Sequence, residues 1–294
     1  MAKSPSHALG QIAGYMMEQA FFEMLEPIAQ EFDLYIDRQG ERQARGTKKK
    51  VTWFDAHGNK HDLDFVLERE GSTSQVGRPA AFVESAWRRY TKHSINKASE
   101  IANALVPLRQ TYKFDRPFLA ALVAGEWTQG GLAQMEAQGI SVLRLPVAAL
   151  VDAFAVEDVD FKYDEDTSDE YMAEQVEHWN RIGEAGQGRV VKRLQEVAGE
   201  EFSFFEAKLR EHLSRRIESV VILPLHGAAK MVSSVSEAVA LLSAMEDGVG
   251  FPKEMNLIRV EIQVRYSNTD KIDASFSNLA DAILWLEQNH LPSH

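Results

Sequence analysis

Two acids stand where acids are costly. Asp64 falls inside the apolar run Leu63–Leu67, and Glu84 inside Ala80–Trp87. A carboxylate in a buried strand loses its hydration and needs a positive partner. Strands that follow one another in sequence usually neighbour one another in space, so this pattern predicts two carboxylates side by side in one sheet. A divalent cation such as Mg²⁺ suits such a pair, because it binds through one or two carboxylates and keeps several waters. Arg88, Arg89, Lys92 and Lys97 follow directly, and cations in that number suit a phosphate-bearing substrate. The chemistry these types could do together is phosphodiester hydrolysis. Bound metal lowers the pKa of water and offsets the charge that develops on phosphorus oxygens, and a nearby lysine adds to that charge. The competing reading is a structural ion pair between the two acids and the basic cluster.

The elements that must position these groups are legible as patterns. Ile12, Tyr15, Met16, Phe22 and Leu25 recur at helical spacing, predicting a helix over 12–29 that Pro27 limits. Glu18 borders that apolar stripe. It either reaches solvent or presents a third carboxylate to the metal site. Residues 38–50 are polar and basic without periodicity and read as a loop or arm. Val51–Asp55 and His61–Glu68 make a hairpin around the turn HGNK. Ile95, Ala98, Ile101, Ala102, Leu105 and Leu108 describe an amphipathic helix over 94–110, with Lys97 in its first turn. Strand Phe118–Ala124, helix Leu132–Gln138 and strand Ile140–Leu145 follow. A hairpin followed by parallel crossovers predicts an α/β class with a mixed central sheet flanked by helices.

Beyond Val147 come a further helix, an acidic loop, and a long helical stretch over 169–216 with a break at 184–189. The C-terminal third carries a weak repeat: Val239 and Ile283, Leu241 and Trp285, and Leu242 and Leu286 correspond at a spacing of 44. Two ββα units would build a small α/β domain there. The expected organisation is a core over 1–165, a helical connection over 166–216 and a ββα-ββα domain over 217–294.

Composition narrows the function classes. The absence of cysteine removes disulfides, thiolate metal sites and cysteine nucleophiles. Net charge is −12, yet residues 37–115 hold fifteen Lys and Arg against ten Asp and Glu. That local basic excess is compatible with nucleic acid, because the patch and its counterions decide affinity. No apolar run approaches the roughly 18 residues of a membrane span, and the N-terminus lacks a signal pattern, so a cytoplasmic protein is expected. His57, His61 and His93 have neither the companions nor the spacing of a zinc site. No phosphate-binding glycine loop and no nucleophile elbow appear, so ATP-driven and hydride-transfer chemistry have no support.

A helix, an Asp on one strand, a Glu on the next, then a helix and another strand resembles the PD-(D/E)XK nuclease core, familiar from type II restriction endonucleases. The resemblance covers roughly residues 10–150, and ESAWRRYTKHSINKASEI is similar to restriction endonuclease sequences. It implies a restriction-endonuclease-like core and a Mg²⁺-dependent endodeoxyribonuclease acting on duplex DNA. Asp64 and Glu84 would be metal ligands and catalytic, with Glu18 as the extra acid of the first helix. Arg88, Arg89 and Lys92 would contact DNA phosphates. A homodimer and a cognate DNA methyltransferase would be the protein partners. One departure matters: the family's lysine belongs two residues after the glutamate, where this chain has Ala86. Either Lys97, with Lys92 as second choice, takes the lysine's part, or the core is a catalytically inactive DNA- or protein-binding module. An enzyme acting on RNA or branched DNA is the third reading.

Overall fold

The computed structural model describes residues 4–91, 94–164, 166–225, 228–246 and 259–290. The chain divides into two compact units, residues 1–112 with 117–210 and residues 113–116 with 211–294.

In the first unit a long helix, α1 (Pro5–Glu31), starts at Ser4, whose hydroxyl accepts from the His7 amide, with Pro5 in the position where its missing N–H costs nothing. Met16, Met17, Ala20, Phe21, Leu25 and Ile28 are buried along it, whereas Tyr15 is 52% exposed. Pro27 lies inside the last turn and does not end the helix. A five-stranded sheet runs in the order β1 (Leu34–Arg38), β4 (Phe65–Arg69), β5 (Arg78–Arg88), β6 (Phe118–Gly125), β7 (Ser141–Leu145). The pairs β1/β4 and β4/β5 are antiparallel and β5/β6 and β6/β7 parallel. This is the mixed sheet expected, for a physical reason. Helices α2 (Ser94–Thr111) and α3 (Gln129–Ala137) carry the chain back before β6 and β7, and only such crossovers allow parallel neighbours.

Successive residues of a strand face opposite ways. In β5, Phe82 and Ala86 join the apolar cluster formed with Ala98, Ile101 and Leu105 of α2, while Ser85 meets α1 through Glu18. The sheet is thus covered by α2 on one side and α1 on the other. Ile95, placed on the apolar stripe of α2 by its spacing, is 52% exposed.

Two parts of the sequence pattern resolve differently in three dimensions. The stretch 61–68 is not one strand. β3 (Lys60–Leu63) pairs with β2 (Val51–Phe54) in a separate two-stranded sheet, and the central sheet resumes at Phe65 opposite Val83. Asp64 is the single residue between the two sheets. The basic stretch 38–50 is not a free arm either. Its Arg42 is 3% exposed and its middle forms a 3-10 turn at Gln43–Arg45. The first unit ends with α4 (Val147–Ala155), α5 (Asp169–Val197), which bends at Gly183 (φ 66°), and most of α6 (Gly199–Leu213).

The second unit runs β8 (Ile217–Pro224), β9 (Lys230–Val232), α7 (Val235–Glu246), β10 (Val260–Tyr266), β11 (Lys271–Phe276), α8 (Leu279–His290). Its antiparallel sheet has the order β11-β10-β8-β9, so the first strand of each ββα run lies inside and the second at an edge. Ala238 and Leu242 of α7 and Ala282 and Leu286 of α8 pack in one apolar cluster with Ile222 and Ile262 of the sheet.

Candidate functional site

Three acids from three elements converge at one end of the β4/β5 pair. Asp64 is held by its own backbone, whose amide donates to the Val83 carbonyl at 3.2 Å. Extending the β4/β5 register by one residue from Phe65↔Val83 sets Asp64 across from Glu84. Its carboxylate Oδ2 accepts from the Ser85 amide at 2.6 Å and lies 2.8 Å from the Ser85 hydroxyl. The same hydroxyl lies 2.6 Å from Glu18 Oε1. A serine hydroxyl has one proton to donate, so the two carboxyl groups compete for it. Burial raises the pKa of Glu18, and the charge of Asp64 adds to the rise against the opposing effect of the Ser85 bond.

Glu84 is 9% exposed. Burial pushes its carboxyl up to about 8, the charge of Asp64 adds to this, and Lys97 opposes it, with lesser contributions from Asp62 and Glu18. Lys97 thus acts on Glu84 from the first turn of α2, although its ammonium is bonded to Glu100 at 3.3 Å. Ala86, where the nuclease lysine would stand, is 6% exposed within the α2 cluster. Its neighbours in that cluster include hydrocarbon side chains of α2.

Arg88 and Arg89 lie elsewhere, at the C-terminal end of β5, lining a cleft with the first turns of α1. Lys92 and His93 fall outside the described residues. Of the polar residues around the hairpin turn, Asp55 accepts from the His57 and Asn59 amides and lies 3.2 Å from His61 Nε2. Asp62 instead pairs with Lys50 at 2.6 Å and Thr52 at 2.7 Å. These contacts account for the hairpin acids as turn and surface structure.

Among the described residues no group of three or more His, Asp or Glu side chains is arranged to hold a metal ion. Glu18, Asp64 and Glu84 therefore do not form a ready three-ligand cage, since Ser85 engages Glu18 and Asp64. The donor set still fits Mg²⁺, which binds through one or two carboxylates and completes its shell with waters and substrate oxygens. Asp64 and Glu84 are the residues that would hold it. Sequence reasoning missed Ser85, because a serine between Glu84 and Ala86 carries no pattern of its own.

It also missed a second acid cluster. Arg42 grips Glu68 with both terminal nitrogens, each at 2.8 Å, and reaches Asp37 at 2.7 Å. Arg45 adds a contact to Asp37 at 3.2 Å, and the Gly77 amide donates to Glu68 at 2.7 Å. Desolvation pulls the Arg42 guanidinium down, but Glu68 and Asp37 together more than reverse this and hold it above the usual arginine range. The available signal was Glu68, an acid ending the apolar run FVLE.

Comparison with known proteins adds little. No family model matches the chain. No curated protein matches it. A crystal structure titled as a protein of unknown function, AF1548, aligns over 65% of this chain and 99% of that one at 11% identity, with a TM-score of 0.30, too low to carry an argument. No helix among the described residues is long and apolar enough to cross a membrane.

Proposed function

We propose that this chain is a Mg²⁺-dependent endodeoxyribonuclease of the PD-(D/E)XK type, hydrolysing phosphodiester bonds of duplex DNA as a type II restriction enzyme does. The observation that carries the reading is the gathering of Glu18, Asp64 and Glu84 beside Ser85 with, among the described residues, no cation bonded to any of the three. A protein that buries carboxylates without pairing them leaves room for a positive ligand.

In this reading Asp64 and Glu84 hold the metal, which when bound lowers the pKa of water and offsets charge on the scissile phosphate. Ser85 fixes the rotamer of Asp64 through two contacts, one from the amide and one from the hydroxyl. Glu18 shares the Ser85 hydroxyl and borders the pair. Lys97 opposes the negative field at Glu84 and stands in for the cation that Ala86 cannot supply. Arg88 and Arg89 contact DNA phosphates. A homodimer and a companion DNA methyltransferase complete the system.

The buried alanine favours one alternative, a nuclease-like module that binds DNA or protein without cutting. Supercoiled plasmid incubated with Mg²⁺, with and without chelator, separates the two. Nicked or linear product that disappears with chelator and in Asp64→Ala supports the nuclease. Metal binding without any cleavage across a panel of duplex, branched and RNA substrates would replace it with the binding module.

A further inference from the structure

The cleft beyond β5 is not absorbed by the carboxylate site. It measures about 610 Å³ and is open to solvent, within the roughly 300–1,000 Å³ of small-ligand sites. It lies at the carboxyl end of parallel strands, where open α/β sheets place their ligands. The strand end is fixed there, because the Arg88 carbonyl accepts from the Glu126 amide at 2.8 Å. Gly125 (φ +93°) makes that approach possible, since a Cβ on it would sit 2.0 Å from the same oxygen.

Three kinds of group line the cleft, and each has a separate use. Arg88 and Arg89 supply positive charge, and Arg88 Nε and Arg89 Nη1 are buried with no hydrogen-bond partner among the described residues. Buried guanidinium nitrogens are ordinarily satisfied, and a planar fork of donors matches the oxygens of a phosphate. The first turns of α1 and α5, through Ser6 and Asp169, meet at the same cleft, and helix N-termini favour anions. Trp87 supplies ring surface, and behind it the buried Tyr163 ring carries Arg89 stacked 4.3 Å above it, which fixes the guanidinium. Asp164 and Asp169 supply acceptors at the cleft wall, the groups that bind exocyclic amines of bases.

We propose that this cleft is a nucleotide subsite, taking one phosphate-bearing base with its phosphate on Arg88 and Arg89 and its base against Trp87. The proposal rests on the nuclease reading for one point only, that the nucleotide belongs to the DNA strand held at Asp64 and Glu84. Gly10, beside Trp87, and Glu18, at the carboxylates, are eight residues apart on α1, or about 12 Å. Acids facing the arginines make it selective for one phosphate rather than a polyanionic tail.

Calorimetric titration of the full chain with a deoxynucleoside 5′-monophosphate, the matching deoxynucleoside and inorganic phosphate tests the subsite without any cleavage. The monophosphate is expected to bind at least about tenfold tighter than either fragment. Arg89→Met should weaken it at least about tenfold, and Asp64→Ala should leave it unchanged. If Arg89→Met does not melt cooperatively, Arg89→Lys serves, since it keeps charge and loses the fork. Duplex DNA measured alongside should lose affinity in the Arg89 variant and about one unit of salt slope. Equal binding of the monophosphate and inorganic phosphate, or an Arg89 variant that binds both probes normally, would overturn the subsite while leaving the nuclease reading intact. Arginine-dependent monophosphate binding in a protein that neither binds nor cuts duplex DNA would keep the subsite and overturn the nuclease reading.

Discussion

Two acid clusters lie in the same sheet, and they are built on opposite principles. Around Arg42, the acids Asp37 and Glu68 are neutralised by the chain's own guanidinium groups, with every short contact a charge-assisted hydrogen bond. Around Ser85, Glu18 and Asp64 share one hydroxyl with Glu84 beside them, and burial raises the pKa of Glu18 and Glu84, as it also does that of Asp37. The first cluster is complete in the folded chain. The second has no bonded cation among the described residues. The difference teaches that burial of a carboxylate is uninformative by itself; the presence or absence of a bonded partner separates structure from candidate function.

Substitutions should break this comparison in opposite directions. The largest effect is expected on cleavage. Asp64→Ala and Glu84→Ala should each lower the Mg²⁺-dependent rate by about 10⁴-fold or more, with thermal melting no lower than the parent, as plasmid assays and calorimetry on the same preparations will read. Next comes Arg42→Ala, which strands two buried acids and should cost about 3–5 kcal/mol in denaturant unfolding. A loss under 1 kcal/mol would mean that the two clusters are not different in kind.

Lys97→Ala should slow cleavage about 10²–10³-fold, as for loss of one group that stabilises developing charge, with DNA affinity little changed. If the variant cuts at the parental rate, the cation near Glu84 must come from elsewhere.

The pH dependence follows from Glu84. Its folded pKa of about 8 lies above the ordinary 4.5, so between those values the folded state holds a proton that the unfolded chain releases. Stability without metal should therefore fall as pH rises through that window, by a few kcal/mol at most. Glu84→Gln should flatten the decline, and saturating Mg²⁺ should reverse it, because a ligand of the ionised form stabilises the fold. Melting temperatures that rise from pH 5 to pH 8 in the metal-free parent would contradict the assignment. The smallest effect concerns Glu100, 64% exposed at its side chain and paired with Lys97. Glu100→Gln should change stability by under about 0.5 kcal/mol.

Much of this arrangement was readable before folding, and the remainder was not for specific reasons. The parallel half of the mixed sheet follows from crossover spacing, whereas the expected hairpin closes a separate two-stranded sheet and β1 matches no strand read from the sequence. Asp64 and Glu84 stand out because local apolar runs make an acid conspicuous. Glu68 ends an equally apolar run, but its partner Arg42 is 26 residues away in a stretch that looks like solvent-exposed coil. No local period encodes a pairing at that distance. Ser85 is silent for a different reason: its role depends on which face of β5 meets α1, and that is decided by α1 and α2 together. Tyr15 and Ile95 fit helical stripes and are exposed, since a stripe defined by spacing is wider than the surface that the sheet covers.

The one-residue passage at Asp64 sets a rule for chain length. Leu63 belongs to the β2–β3 sheet and Phe65 to the central one, so an insertion or deletion between them has no turn to absorb it. Adding a residue there would reverse the facing of every side chain on one flank and carry the carboxylate away from Ser85. The hairpin tip at 55–59, bonded mainly to itself, can grow or shrink with far less consequence. Length variation in this region should therefore gather at the tip and be absent from the three residues Leu63, Asp64 and Phe65.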